Sequence, residues 1–323
     1  MRKMPVRPPA LRLHDRAVIL SPAGKIDATI VENAAAVLSG WGLTPEISRH
    51  ALSACGRFSG IVAERLADLQ RAFDDPEVRL ILCARGGYGT VHLLDKLDFT
   101  GIREHPKWVV GYSDITVLHA ALQMHGIASV HGPMAKHLAD EVYASLQNPQ
   151  ADKLFSMTGE KEDAAAGYLK KILYGASLSY RFPVTGTSSL NRCGMAVGQL
   201  FGGNLSLFCS ILGSKYAQIP QGGVLCVEDI GEEPYRVDRM IYQLKIAGVF
   251  EKIGGLVVGQ FTDYQEDDGM YAPLYASIRE AVGEYAFPLC FSFPVGHVKQ
   301  NYPLMMGRKA RLAVGEDHIL FEQ

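Results

Sequence analysis

The run Pro106-Lys107-Trp108-Val109-Val110-Gly111-Tyr112-Ser113-Asp114-Ile115-Thr116-Val117-Leu118-His119 decides the fold class. Trp108, Val109 and Val110 are apolar and β-favouring behind a proline, which predicts a short buried strand. Ile115, Leu118 and Leu122 follow at i, i+3 and i+7, the spacing of one helix face. Ser113 therefore stands where a strand stops and a helix starts, with Gly111 easing the turn. A hydroxyl held there points out of the sheet, and the first N–H groups of the helix can face an anion. Ser and Asp are also preferred helix N-caps, so capping alone is the competing reading of Ser113 and Asp114.

Outward from this turn the same alternation repeats. Ala17–Leu20 reads as a strand broken by Ser21-Pro22-Ala23-Gly24, and a helix from Asp27 carries Ile30, Val31, Ala34, Val37 and Leu38 on its apolar face. A second helix is expected from Gly60 to Phe73, with Ile61, Leu66 and Leu69 inward. Leu80-Ile81-Leu82-Cys83-Ala84 is continuous enough for a strand buried on both faces. The turn Arg85-Gly86-Gly87-Tyr88-Gly89 comes next, then a helix expected through Val91, Leu94 and Leu97, and later the strand Ala128–His131. This order predicts a three-layer α/β domain with a mostly parallel sheet. Ligands of such sheets bind at the carboxyl ends of the strands, where the turns at Ser21, Gly86 and Ser113 and the His131 segment would lie.

Arg85–Gly89 is only a weak match to nucleotide motifs. A G-x-G-x-x-G pattern from Gly87 would need glycine at His92, and no G-K-[ST] occurs. Paired glycines also let backbone N–H groups approach a substrate oxygen, although a tight turn explains them equally well. Gly111-Tyr112-Ser113-Asp114-Ile115 shares the strand–turn–helix logic of the G-x-S-x-G elbow but lacks its second glycine.

From about Asp140 to Gly186 the pattern changes, Lys153–Ala166 being polar and charged. The expected organisation is residues 14–150 as an α/β domain carrying Ser113, 151–186 as a connection, and 187–323 as a smaller β-rich domain. Strands are expected at Gly194–Val197, Gly222–Ile230 and Leu256–Phe261, with helices after Gly203-Asn204 and from Val237 to about Ala247. The second strand ends in Glu228-Asp229, and the apolar run from Leu289 ends in His297. Singly, a terminal acid is usually solvated and one histidine of ten is usually structural. Together, serine, acid and histidine follow in the order found in α/β hydrolases. Gly202-Gly203-Asn204 opens a helix whose N–H groups could hold a carboxylate, with simple capping by Asn204 as the alternative.

Composition narrows the function. The chain has 323 residues, 48% hydrophobic and 20% charged, which suits two globular domains. A net charge of -2 leaves no basic excess for a nucleic-acid backbone. No run is long enough to span a bilayer, and Met1–Arg16 lacks the apolar core of a signal peptide, so a cytoplasmic address is expected. The six cysteines are scattered without a C-x-x-C pair. His119, His125, His131 and His137 recur every six residues, about 600° of helix rotation, so neighbours do not share a face. With no H-E-x-x-H, no metal site is expected.

Taken in order, Ser21-Pro22-Ala23, Arg85–Gly89, Gly111–Thr116, His131-Gly132-Pro133-Met134, Gly202–Leu205, Glu228-Asp229 with Pro234-Tyr235 and Asp238-Arg239, and Pro294–His297 resemble the LD-carboxypeptidase family, peptidase family S66. The resemblance runs from about Arg16 to Arg311. It implies a class I glutamine amidotransferase-like N-terminal domain, a swivelling β/β/α C-terminal domain and an active site in the cleft between them. It further implies Ser113 as nucleophile, Glu228 as acid and His297 as base, and a cytoplasmic, metal-independent homodimer. On this reading the backbone N–H groups of Asp114, Gly86 and Gly87 stabilise the oxyanion, Arg85 or Asn204 binds the substrate α-carboxylate, and no cofactor takes part. The substrate expected is a murein tetrapeptide ending in D-Ala after L-Lys or meso-diaminopimelate. A microcin C immunity-type hydrolase of peptidyl or aminoacyl nucleotides is the alternative. Trp41 and Trp108, the two tryptophans, lie outside the connection, leaving Tyr168 and Tyr174 to stack on a base. A non-catalytic nucleotide- or peptide-binding α/β protein is the alternative from another class.

Overall fold

The computed structural model describes residues 4–140, 165–184 and 187–323. They divide into two compact units, one within Val6–Ala176 and Tyr302–Leu304, the other within Met1–Pro5, Ser177–Asn301 and Met305–Gln323.

The first unit contains β1 (Arg16–Leu20), α1 (Ala28–Gly40), β2 (Thr44–Ile47), α2 (Val62–Asp74), β3 (Val78–Cys83), α3 (Thr100–Glu104), β4 (Trp108–Gly111), α4 (Thr116–Met124), β5 (Ser129–His131) and α5 (Ala165–Leu173). These five strands run in the order β5-β4-β3-β1-β2 within a six-stranded sheet, all parallel to one another. Leu80, Ile81 and Leu82 pair with Trp108, Val109 and Val110, so two apolar runs interlock at the sheet centre, where all six are buried. Their uninterrupted apolar character follows from helices covering both faces. β2 is an edge strand with its residues half-buried or exposed, which is why no apolar pattern announces it.

Two local expectations change, and one segment left unplaced finds its element. The buried face of α2 is Arg65, Asp68, Leu69, Ala72 and Phe73, whereas Ile61 is exposed. Two charged residues occupy inward positions because each finds hydrogen-bond partners there. The helix expected through Val91, Leu94 and Leu97 is a 3-10 turn, Thr90–Leu93, and α3 starts separately where Asp98 Oδ1 accepts the N–H and hydroxyl of Thr100. Tyr168–Tyr174 reads as too short and mixed to place, and its first six residues lie in α5, with Leu169, Ile172 and Leu173 buried. Of the expected connection, residues 151–164 and 185–186 lie outside the described residues.

The second unit contains β6 (Ser179–Pro183), β7 (Gly194–Asn204), α6 (Leu205–Ser210), β8 (Gly223–Ile230), α7 (Pro234–Ile246), β9 (Ile253–Thr262), α8 (Leu274–Ala281), β10 (Leu289–Cys290), β11 (Lys309–Val314) and β12 (His318–Glu322). They form a seven-stranded mixed sheet ordered β10-β9-β8-β7-β11-β12-β6. β7 extends seven residues past the expected Val197 end because it serves two partners. Its first half pairs antiparallel with β11, and from Leu200 to Asn204 it pairs parallel with β8. Glycine makes that passage possible: a Cβ at Gly198 would lie 2.0 Å from the Gly222 carbonyl oxygen, and one at Gly202 would lie 2.2 Å from that of Cys226. Phe201, Val227, Val258, Val237, Ile241 and Ile278 belong to one core between the parallel strands and the helices. Among the described residues no helix is long and apolar enough to cross a membrane.

Candidate active site

In the first unit the chain leaves β4 through Tyr112, extended at φ -154°, and enters the 3-10 turn Ser113–Ile115 before α4. Ser113 has φ +62°, a left-handed conformation that a side chain bearing Cβ adopts at a cost of about 1–3 kcal/mol. Gly111 lets this turn fold back tightly, since a Cβ there would lie 2.8 Å from Ile115 Cγ1. The Gly111 carbonyl receives the Gly132 N–H at 3.1 Å and faces His119 Nε2 at 2.9 Å. A carbonyl only accepts, so Nε2 carries the proton and Nδ1 accepts from the Ser129 hydroxyl at 2.8 Å. Burial pushes the His119 pKa down to about 4, against the opposing pull of the Gly111 carbonyl. A neutral imidazole therefore braces the strand end behind Ser113.

The glycine turn after β3 reaches the same serine. A Cβ on Gly86 would meet Ser113 Cβ at 2.8 Å and Oγ at 2.9 Å, and would lie 3.4 Å from the Asp114 backbone nitrogen. Only glycine permits that approach. The Gly86 carbonyl accepts the Gly24 N–H at 3.1 Å, and planarity of the peptide aims the N–H of Gly87 to the opposite side. Arg85 is exposed, with Nη1 donating to the Lys25 carbonyl at 3.1 Å.

In the second unit, Glu228 stands near the end of β8 with its side chain fully buried. Its Oε2 lies 2.8 Å from His297 Nδ1. A carboxylate only accepts, so Nδ1 carries the proton and Nε2 is the basic nitrogen. Two glycines clear the space for this pair. A Cβ on Gly296, where φ is +120°, would lie 2.8 Å from Oε2, and one on Gly259 of β9 would lie 3.1 Å from Glu228 Cβ. The Gly296 N–H donates to Asn301 Oδ1 at 3.0 Å, and the Val295 carbonyl accepts from Gln260 N–H at 2.9 Å. The loop carrying the imidazole is thus pinned on both sides of Gly296.

Asn204 and Asp229 are committed to one another. Asn204 Nδ2 donates to Asp229 Oδ1 at 2.8 Å, while its Oδ1 accepts from the Ser206 hydroxyl and the Leu207 N–H. Asp229 Oδ2 accepts the Ser206 N–H at 2.8 Å. The start of α6 is therefore capped by the chain's own side chains, the alternative that sequence left open for Asn204. Burial and the neighbouring Glu228 charge raise the Asp229 pKa, against hydrogen bonds from Ile230, Ser206 and Asn204. Alternating side-chain direction along β8 explains why adjacent acids do different work, Glu228 facing histidine and Asp229 facing a helix start. Asn301, Gly259 and Asp229's cap escape sequence reasoning because nothing in their spacing names a partner. Among the described residues no group of three or more His, Cys, Asp or Glu is arranged to hold a metal ion.

Known proteins share this arrangement of sequence. The model of the LD-carboxypeptidase N-terminal domain matches residues 18–132, and that of the LD-carboxypeptidase C-terminal domain matches residues 197–312. The murein tetrapeptide carboxypeptidase of Pseudomonas aeruginosa is 30% identical over 303 residues, spanning 92% of this chain and 92% of that protein. The microcin C7 self-immunity protein of Escherichia coli is 24% identical over 279 residues, 80% of this chain and 78% of its own. Among solved structures, the muramoyltetrapeptide carboxypeptidase from Oxalobacter formigenes matches with a TM-score of 0.79 at 27% identity, covering 95% of this chain and 98% of that one.

Proposed function

This chain belongs to the LD-carboxypeptidase family, and from that premise we propose that it is a serine carboxypeptidase releasing the terminal D-alanine of murein tetrapeptides during peptidoglycan recycling. The observation that carries the reading is the 2.8 Å contact between His297 Nδ1 and the buried Glu228 carboxylate, which prepares Nε2 as a base. Ser113, on its left-handed turn, is the nucleophile of this proposal.

Ser113 Oγ attacks the carbonyl of the L-centre, L-Lys or meso-diaminopimelate, while His297 Nε2 takes the hydroxyl proton. Glu228 stabilises the imidazolium and keeps its orientation. The tetrahedral oxyanion is held by N–H groups of Asp114 and of the Gly86-Gly87 turn, each such donor contributing about 3–4 kcal/mol to barrier lowering. The imidazolium returns its proton to the departing amine of D-alanine, and water then resolves the acyl-enzyme. Arg85, exposed beside the turn, is the candidate for the leaving residue's carboxylate, whereas the amide of Asn204 is engaged in capping. The family resemblance also supports a cytoplasmic homodimer acting without a cofactor.

Ser113→Ala is expected to abolish D-alanine release from murein tetrapeptide and leave tetrapeptide affinity within a few-fold. An all-L tetrapeptide should not be cleaved by either form. Hydrolysis that survives the substitution would remove Ser113 from the role. Likeness to the microcin C7 self-immunity protein supports peptidyl nucleotides as the competing substrate class, and faster turnover of such a compound than of tetrapeptide would decide for it.

A further inference from the structure

Arg65 is an arginine on the inward face of α2, only 2% exposed. Its Nη1 donates to the carbonyls of Pro22 at 2.8 Å and Gly89 at 2.9 Å. Those carbonyls belong to the turns that follow β1 and β3. Asp114, next to Ser113 on the turn after β4, is wholly buried, and its Oδ2 accepts the Thr90 N–H at 2.8 Å. Its Oδ1 has no donor among the described residues. Burial lowers the Arg65 pKa, and the Asp114 charge acts in the opposite sense.

Three strand-end turns are therefore tied by two buried charged side chains that bond to the adjacent residues Gly89 and Thr90. Arg65 joins the Pro22 turn to Gly89, and Asp114 joins Thr90 to Ser113. Between these ties lies the Gly86-Gly87 peptide, whose first glycine abuts the serine hydroxyl. The packing tolerates no excess at the anchor: a Cβ on Gly89, where φ is +120°, would lie 2.8 Å from Arg65 Nη1 and 2.9 Å from the Phe58 ring. The guanidinium also sits over that ring, 5.0 Å from its centroid.

We infer that Arg65 and Asp114 are positioning residues, two buried charged side chains whose hydrogen bonds set the spacing between the Gly86-Gly87 turn and Ser113 and so the geometry of the oxyanion pocket. The inference rests on reading Ser113 as the nucleophile. An oxyanion donor displaced by a fraction of an ångström still lets substrate bind but stabilises the transition state less, so the effect belongs in kcat. The two residues act on the same strand-end turns through the adjacent Gly89 and Thr90, so their effects are not independent.

The test uses the full chain and a fluorophosphonate probe, reading the rate of labelling at Ser113 together with kcat and KM for D-alanine release. Arg65→Gln is expected to lower the labelling rate and kcat by about 10- to 100-fold with KM within about twofold. Arg65→Lys should recover part of the loss, and the Arg65→Gln/Asp114→Asn double variant should be less impaired than the product of the single effects. Gly89→Ala displaces the same contact with both charges intact, and should slow labelling even if Arg65→Gln does not fold. Folded Arg65→Gln or Gly89→Ala protein that labels at the wild-type rate overturns the inference. Wild-type protein that labels elsewhere than Ser113 overturns the nucleophile reading and the inference with it.

Discussion

The two units hold their candidate residues by opposite means. Ser113 is placed by backbone: a left-handed residue at the end of β4, a carbonyl behind it fixed by His119 and Gly132, and a glycine turn pressed against its hydroxyl. His297 is placed by a side chain, the buried Glu228 carboxylate, and the left-handed residue directly before it is a glycine. Strain is accepted at the first position, where a hydroxyl must occupy the turn itself. It is avoided at the second, where the functional group is one residue beyond the turn. The proposed nucleophile needs a particular backbone direction and the proposed base a particular tautomer, and these call for different supports.

Glu228→Gln is the most damaging way to sharpen that contrast. The amide keeps the shape but can present its N–H to Nδ1 and favour the wrong tautomer, so kcat should fall about 10³- to 10⁴-fold with the fold intact. A loss below tenfold would show that the base is not held by this side chain. The next largest effect belongs to the nucleophile side. His119 is expected to be neutral when folded, with a pKa of about 4 against 6.5 when exposed. The unfolded chain therefore takes up this proton first, and stability should be level above pH 6.5 and fall as pH drops from there towards 4, by up to about 3 kcal/mol. His119→Gln should flatten that part of the stability profile measured by denaturant unfolding. An unchanged slope would place the acid sensitivity elsewhere. The smallest effects have opposite signs. Ser113→Gly relieves the left-handed residue and should raise stability by about 1 kcal/mol while eliminating activity. Gly296→Ala introduces the same conformational penalty and crowds Oε2, and should lower stability by about 1–3 kcal/mol. Equal shifts at the two positions would erase the distinction between strained and glycine-relieved turns.

The alternation of apolar runs was legible because strands buried on both faces and amphipathic helices write different periods into the chain. That is why the centre of the first sheet, the turn at Ser113, the Glu228 strand and the apolar run before His297 could be placed. The inward face of α2 could not, because Arg65 and Asp68 read as solvent residues until their partners, 18 to 43 residues distant, are known. The length of β7 was hidden for a related reason. Gly198, Gly202 and Gly203 look like strand breakers, but they are the residues that let β7 cross between an antiparallel and a parallel neighbour.

What the amino-acid order determined by itself was local: which segments bury a face, where each strand stops, and which chemistry-bearing residue sits at each stop. Tertiary structure alone decided that Glu228 meets His297 at 2.8 Å, that Asp229 caps α6, and that Gly86 abuts the Ser113 hydroxyl. Periodicity reports a residue's direction relative to its own element. A hydrogen bond of 2.8 Å between positions 69 residues apart depends on strand order, register and clearances that no local pattern encodes.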